Sequence, residues 1–378
     1  MRALPLFSRL TAFLLTLNPL MLLLPSLTFP AEESAYPVFE HFPTPKSISL
    51  CDEPMPLENH RVWEMLDREL TISVWDRAQV FLWLKRAARY FPYIEKELDK
   101  AGMPEDLKYL AVAESALLTR TRSRKGATGP WQFMAHTARR KGLRKERMID
   151  ERLDFERSTG AALNYLKHLK EIFGTWTLAL AAYNCGDARL KKEIKEQKVT
   201  DYYRLNLALE TERFIFRIAA IKIIMENPER YGYSMKPEWA YRPIKCDTVP
   251  VRIRISLHIT DVALALGTDF KVLKELNPQI LGYYLPTGRY KIKVPSGLGS
   301  GMASVLKRLT LSASRRMKKV SDGYYVVQPG DTLSHIAMRK GISVASLKRL
   351  NRIRGSLIRV GQKLRLRPWS GSYMPTLP

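Results

Sequence analysis

The sequence predicts a mainly α-helical domain followed by two small α+β domains, and three observations carry that prediction. Apolar residues recur at helical spacing through most of residues 76–226. Across Pro237 to Pro250 the composition shifts and a different architecture begins. Beyond the shift, two stretches resemble each other at a fixed offset of 74: Ala263 and Ala337, Gly267 and Gly341, Leu273 and Leu347, Leu276-Asn277 and Leu350-Asn351. Ile292 against Leu366 carries the register into a final strand. A repeat of that size implies two small units of like fold.

The chain starts with Arg2 and Arg9 ahead of a leucine-rich run from Leu10 to Leu24, interrupted by Thr11, Thr16, Asn18 and Pro19. A charged start and a short apolar stretch read as a signal peptide over 1–30, because a membrane span needs about 20 unbroken apolar residues. Export to the periplasm or cell envelope follows. The cleavage pattern around Ser26 to Ala31 is poor, so association with the membrane through an uncleaved N-terminal segment stays open.

Residues 31–75 read as an irregular, Pro-rich segment with a short helix around His60 to Leu70. A helical domain follows over 76–236, with helices expected at 76–90, 92–100, 104–117, 131–141, 156–172, 176–184 and 207–226. The third opens at Pro104, with Glu105 and Asp106 in its first turn, where the helix dipole favours negative charge. On its apolar stripe of Leu107, Leu110 and Ala111 stands a carboxylate, Glu114. A carboxyl half-buried among apolar neighbours has its pKa raised by desolvation, which suits a general acid near neutral pH. The plainer reading is a glutamate near a helix end reaching water.

Glu114-Ser115 does not stand alone. Gly129 opens GPWQFM, and AYNCG follows from Ala182 to Gly186. Glu-Ser, then Gly-x-x-Gln-x-Met, then Ala-Tyr-Asn-x-Gly, in this order, resembles the motif set of the family 1 lytic transglycosylases. The resemblance spans roughly Asp76 to Tyr233 and implies a goose-lysozyme-like fold acting on peptidoglycan. It implies cleavage between N-acetylmuramic acid and N-acetylglucosamine by attack of the muramoyl C6 hydroxyl, with Glu114 as the single acid and base and a 1,6-anhydromuramoyl end as product. A lysozyme-type muramidase and a non-catalytic wall-binding protein are the alternatives.

By motif position the resemblance makes Ser115, Gly129, Gln132, Phe133, Met134, Tyr183, Asn184 and Phe214 substrate-binding. Ser115 is equally suited to a local backbone bond, Phe133 to the core, and Asn184 to a helix C-cap. Phe214 departs from the family, which commonly carries Tyr there; a phenyl ring keeps the packing without the hydroxyl. Asp187 and Glu210 are further carboxylates that the fold could bring near.

The second C-terminal copy, 323–368, resembles the LysM module, a βααβ unit that binds N-acetylglucosamine-containing glycans. Sugar contact is expected at Gly330, Asp331 and Thr332 and near Asn351. The first copy, 249–295, has Ser256-Leu257-His258 where the second has Gly-Asp-Thr, and reads as divergent; 296–322 reads as a linker. From Leu298 onward sixteen Lys and Arg face two Asp and no Glu, within a chain of net charge +25. Such a surface favours polyanions. For an exported chain with these motifs the expected partners are peptidoglycan strands and an anionic wall or membrane surface, not nucleic acid. A monomer is expected, with a cell-wall enzyme complex a compatible partner.

No HExxH, paired Cys, phosphate-cradling Gly loop or GxSxG elbow is present, so no metal and no cofactor is expected. Of the three cysteines, Cys185 reads as a small buried residue, while Cys51 and Cys246 flank the helical domain and could pair.

Overall fold

The computed structural model describes residues 42–319 and 323–366; the expected signal peptide lies outside them. No described helix is long and apolar enough to cross a membrane.

A two-stranded hairpin, β1 (Ser49–Leu50) and β2 (Glu53–Pro54), precedes eight helices: α1 (His60–Trp75), α2 (Arg77–Ala101), α3 (Lys108–Ser115), α4 (Ala135–Arg140), α5 (Phe155–Phe173), α6 (Trp176–Cys185), α7 (Asp187–Gln197) and α8 (Leu209–Glu226). Helix α8 packs against α1, α3 and α6. Its residues explain that place: Phe214, Ile215, Ile218, Ala219, Ile221 and Ile224 are buried all round it, as in a helix with no water-facing side.

Several elements differ from the sequence reading. Helix α1 is a full 16-residue helix packed along α8, so the helical domain begins before residue 76. Asp76 ends α1 and caps α2, accepting a bond from the Gln79 amide at 3.4 Å. The expected break at Pro92 is absent. Pro92 is exposed, so the carbonyl it leaves unpaired can face water, while Val80, Trp83, Ala87, Ile94 and Leu98 keep one buried stripe through it. Residues 131–134 are not helical, because Gln132 sits at φ 46°. Helix α7, which follows the Gly186 turn, was not expected; only Leu190 on it is buried.

Beyond the helical domain come β3 (Cys246–Ile253), β4 (Leu257–His258), α9 (Ile259–Ala265), α10 (Phe270–Leu276), β5 (Tyr284–Leu285) and β6 (Gly288–Pro295). Strands β3 and β6 pair antiparallel from Cys246↔Pro295 to Ile253↔Gly288. The expected linker contains α11 (Met302–Lys319), whose Met302, Val305 and Leu306 complete the core of this first repeat. The second repeat is β7 (Tyr324–Val326), α12 (Leu333–Lys340), α13 (Val344–Leu350) and β8 (Lys363–Arg365), with its own core. A mainly helical domain followed by two small α+β units is therefore the observed class.

The two repeats share an internal asparagine pin. Asn277 donates to the Leu273 and Lys293 carbonyls at 2.9 and 2.6 Å and accepts from the Lys293 amide at 2.9 Å. Asn351 does the same with Leu347 and Arg365. Lys293 thus corresponds to Arg365, and Ile292 to Leu364 rather than Leu366. The last strand arrives two residues earlier in the second copy, which keeps buried side chains facing the core.

The first repeat is docked on the helical domain. Ile149 lies in its core and bridges Ile280; the Asp150 amide donates to Gln279 at 2.8 Å and the Leu281 amide to Met148 at 2.8 Å. Lys293 pairs with Glu156. All three cysteines are free: Cys51 is buried, Cys246 and Cys185 half-buried, so Cys51 and Cys246 do not pair and Cys185 is less buried than its motif suggested.

Candidate active site

Helix α3 stops one residue after Glu114. Ala116 and Leu117 both adopt left-handed backbone, φ 52° and 61°, and the Arg86 guanidinium donates to the Ala116 carbonyl at 3.1 Å. Two consecutive non-glycine residues in that region persist only where surrounding contacts hold them. Glu114 is half-buried: protein mass surrounds the carboxyl while part of the side chain meets solvent. Among the described residues its carboxyl makes no hydrogen bond. Burial pushes its pKa up to about 8; the Arg217 charge pulls against this and the Glu210 charge adds to it.

Ser115 is buried, with its hydroxyl 2.8 Å from the Pro130 carbonyl and 3.1 Å from that of Ala111. It ties α3 to the following loop.

That loop is built around Gly129. At φ 85° its missing side chain leaves room for the Arg152 carbonyl, which would stand 1.8 Å from a Cβ. Only glycine fits, and its role is this close approach. Arg152 is buried and paired in fork geometry with Asp150 at 2.9 and 2.8 Å. Its remaining nitrogen donates to the Gly126 and Phe133 carbonyls at 3.0 and 2.8 Å, clamping both ends of the loop. Gln132 donates through its amide to the Gly129 carbonyl at 2.8 Å, leaving its side-chain oxygen without a partner among the described residues. Phe133 is core, 6.1 Å from the Tyr183 ring and 6.5 Å from that of Tyr165; Met134 is exposed.

The end of α6 meets this loop. The Tyr183 hydroxyl donates to the Trp131 carbonyl at 2.7 Å. Its own pKa lies well above the usual value, through burial first and the Glu114 charge second, which puts the two side chains in one electrostatic neighbourhood. Asn184 accepts at 3.0 Å from the buried Thr211 hydroxyl of α8, which fixes its amide and leaves the NH2 to other partners. It is the penultimate residue of α6 and the cap is Gly186, so the C-cap reading is set aside.

Phe214 is buried in the core of α8. Glu210 is exposed and lies 3.6 Å from Lys125. Arg217, one turn beyond Phe214, lies 3.6 Å from the buried Glu69 carboxylate, which also holds Arg213 at 2.6 Å and Arg68 at 2.5 Å. Asp187 opens α7, where its charge acts on Tyr165 and Lys141 rather than on Glu114. Sequence reasoning missed Arg152, Tyr165 and Arg217. The sequence offered for Arg152 only an Asp-x-Arg spacing, far along the chain from the glycine loop; for Arg217 it offered nothing.

In the second repeat Asp331 does not face outward. Its carboxylate accepts from the Gln328 amide at 2.8 Å, the Tyr325 hydroxyl at 2.5 Å and Arg339 at 2.9 Å. Thr332 caps α12 by accepting from the His335 amide at 3.1 Å, Gly330 makes the turn at φ 81°, and Asn351 is the internal pin. Each residue expected to contact sugar thus has a task inside the module, while Gly330 and Thr332 also stay exposed.

Comparison with known proteins follows the same division. The family described as transglycosylase SLT domain matches residues 91–206. A protein of Alteromonas sp. (strain M-1), named for tributyltin chloride resistance, is 34% identical over 175 residues, 44% of this chain and 84% of that protein. The chain belongs to the transglycosylase SLT domain family. A LysM domain matches residues 325–367 of this SLT chain. The membrane-bound lytic murein transglycosylase D of Escherichia coli (strain K12) is 33% identical over 294 residues, 74% of this chain, and the chain spans 63% of that relative's length. The 70 kDa soluble lytic transglycosylase of Escherichia coli is 20% identical over 42% of this chain and 28% of its own, at a TM-score of 0.31.

Proposed function

We propose that this SLT-family chain is a peptidoglycan lytic transglycosylase. The observation that carries the reading is Glu114: a carboxyl without a hydrogen bond among the described residues, partly open to solvent, with its pKa raised to about 8. Such a group is protonated at neutral pH and can give its proton to a glycosidic oxygen as the bond to C1 breaks. The resulting carboxylate then takes the proton of the muramoyl C6 hydroxyl while that oxygen bonds to C1. The attacking oxygen belongs to the substrate, so a second carboxylate, which ordinary glycosidases need, has no task. Burial keeps Glu114 protonated, and the charge of Glu210 adds to that in a smaller measure.

Gln132 and Asn184 have amide groups to spare for an acetamido sugar, and Met134 offers an exposed apolar contact. Tyr183 stands in the electrostatic neighbourhood of Glu114 and holds the loop that carries Gln132. The LysM-type repeats hold the chain on wall glycan, in the periplasm or cell envelope, and their positive surface favours the carboxylates of the stem peptides.

Mass spectrometry of muropeptides released from purified sacculi tests the reading. Products one water lighter than reducing muropeptides are expected. Reducing ends would make the enzyme a hydrolase, and binding without release would make it a wall-binding protein.

A further inference from the structure

The two repeats meet through α12. His335 and Arg339, one turn apart, both face β5 of the first repeat. The His335 ring lies 5.5 Å from each of Tyr283 and Tyr284. Arg339 donates to the Tyr284 hydroxyl at 2.8 Å, and the same guanidinium holds Tyr325 at 2.7 Å and Asp331 at 2.9 Å. Asp331, one of the residues expected to meet sugar, is thereby tied to the junction between repeats.

Beside that junction opens a cavity of about 500 Å³, walled by the β4–α9 corner of the first repeat, by α11 and by the second repeat. Small-molecule sites occupy about 300 to 1,000 Å³. The first repeat contributes Ser256, His258, Thr260 and Asp261; the second contributes Tyr325 and Gln328. Among the described residues the Thr260 hydroxyl, the Asp261 carboxylate and the Gln328 side-chain oxygen make no hydrogen bond or ion pair. The half-buried His258 ring, set among unengaged hydroxyl, carboxylate and amide groups, matches a pyranose, whose C–H face packs on a ring while its hydroxyls and acetamido groups bond.

We propose that the two repeats form one composite saccharide site, which takes a short stretch of amino-sugar glycan and which neither repeat holds alone. The identity of the glycan rests on the peptidoglycan reading above. The departure of Ser256-Leu257-His258 from Gly-Asp-Thr then has a use. His258 still caps its helix, accepting through Nδ1 from the Thr260 amide at 3.2 Å, as Thr332 caps α12. At the same time its ring lines the shared cavity.

Titration calorimetry of the full chain carrying Glu114→Gln, with the linear tetramer of N-acetylglucosamine as probe, tests this. Asp261→Ala and Thr260→Val in the first repeat should each weaken binding about tenfold, and so should Gln328→Ala in the second. Unchanged thermal unfolding of these variants would show that the repeats still fold. Wild-type affinity in both first-repeat variants would overturn the proposal in favour of a site within one module, and no binding by the parent would overturn it outright. Should sacculi not be cleaved while tetramer binding follows the expected pattern, the catalytic reading fails and the composite site stands.

Discussion

The Tyr183 hydroxyl donates to the Trp131 carbonyl at 2.7 Å, linking the end of α6 to the loop that carries Gln132. Tyr183→Phe removes the donor and leaves a carbonyl without its partner, a cost of about 1–3 kcal/mol where it is buried. We expect roughly tenfold slower cleavage of sacculi from the misplaced loop, with secondary structure by circular dichroism unchanged.

Glu114→Gln should lower cleavage by about 10³-fold, in the range that general acid–base catalysis contributes, while sacculus pull-down is retained. Turnover near the unmodified rate would reject Glu114 as the acid.

The acid form of Glu114 is lost as pH rises through about 8, so cleavage should fall above that pH. Arg217 pulls this pKa down and Glu210 pushes it up. Arg217→Met should therefore shift the alkaline limb of the rate profile to higher pH, and Glu210→Gln to lower pH. Stability has its own sign. Between the usual 4.5 and about 8 the folded chain holds a proton that the unfolded chain has released, so stability falls as pH rises through that window. Glu114→Gln should remove this fall, seen as a melting temperature less sensitive to pH from 5 to 9.

Gly129→Ala places a Cβ 1.8 Å from the Arg152 carbonyl, so the loop must move. A loss of about 3 kcal/mol and near-complete loss of cleavage are expected. Arg152→Met takes the bidentate guanidinium from buried Asp150, leaving only Lys145 at 3.8 Å as opposite charge, and should cost about 3 kcal/mol in denaturant unfolding.

Deleting Tyr324 to Pro378 should weaken sacculus binding and spare cleavage of short soluble glycans. Truncation after residue 236 should impair both. It removes Gln279 from the Asp150 amide and Lys293 from Glu156, and Asp150 orients the Arg152 clamp. A comparison of the two truncations on one soluble glycan decides this.

Most of the helices, the repeat and the place of Glu114 on an apolar stripe were legible because they rest on local periodicity and short motifs. A glutamate on an apolar stripe declares itself within one helix turn. The continuity of α2 through Pro92 was not legible, because a proline forbids one hydrogen bond and says nothing of whether the lost partner faces water. Nor was the task of Gly129, whose neighbour Arg152 is distant in sequence and meets it only after folding.

By itself, then, the sequence determined the fold class, the family and the carboxylate on which the proposed chemistry turns, since each depends on residues close along the chain. Tertiary structure decided which motif residues remain open to a ligand. Ser115, Phe133, Asp331 and Asn351 carry groups suited to contact sugar, yet each is taken up by a partner inside the fold. Buried polar groups must be satisfied, and only the packed structure shows which ones have already found their bond.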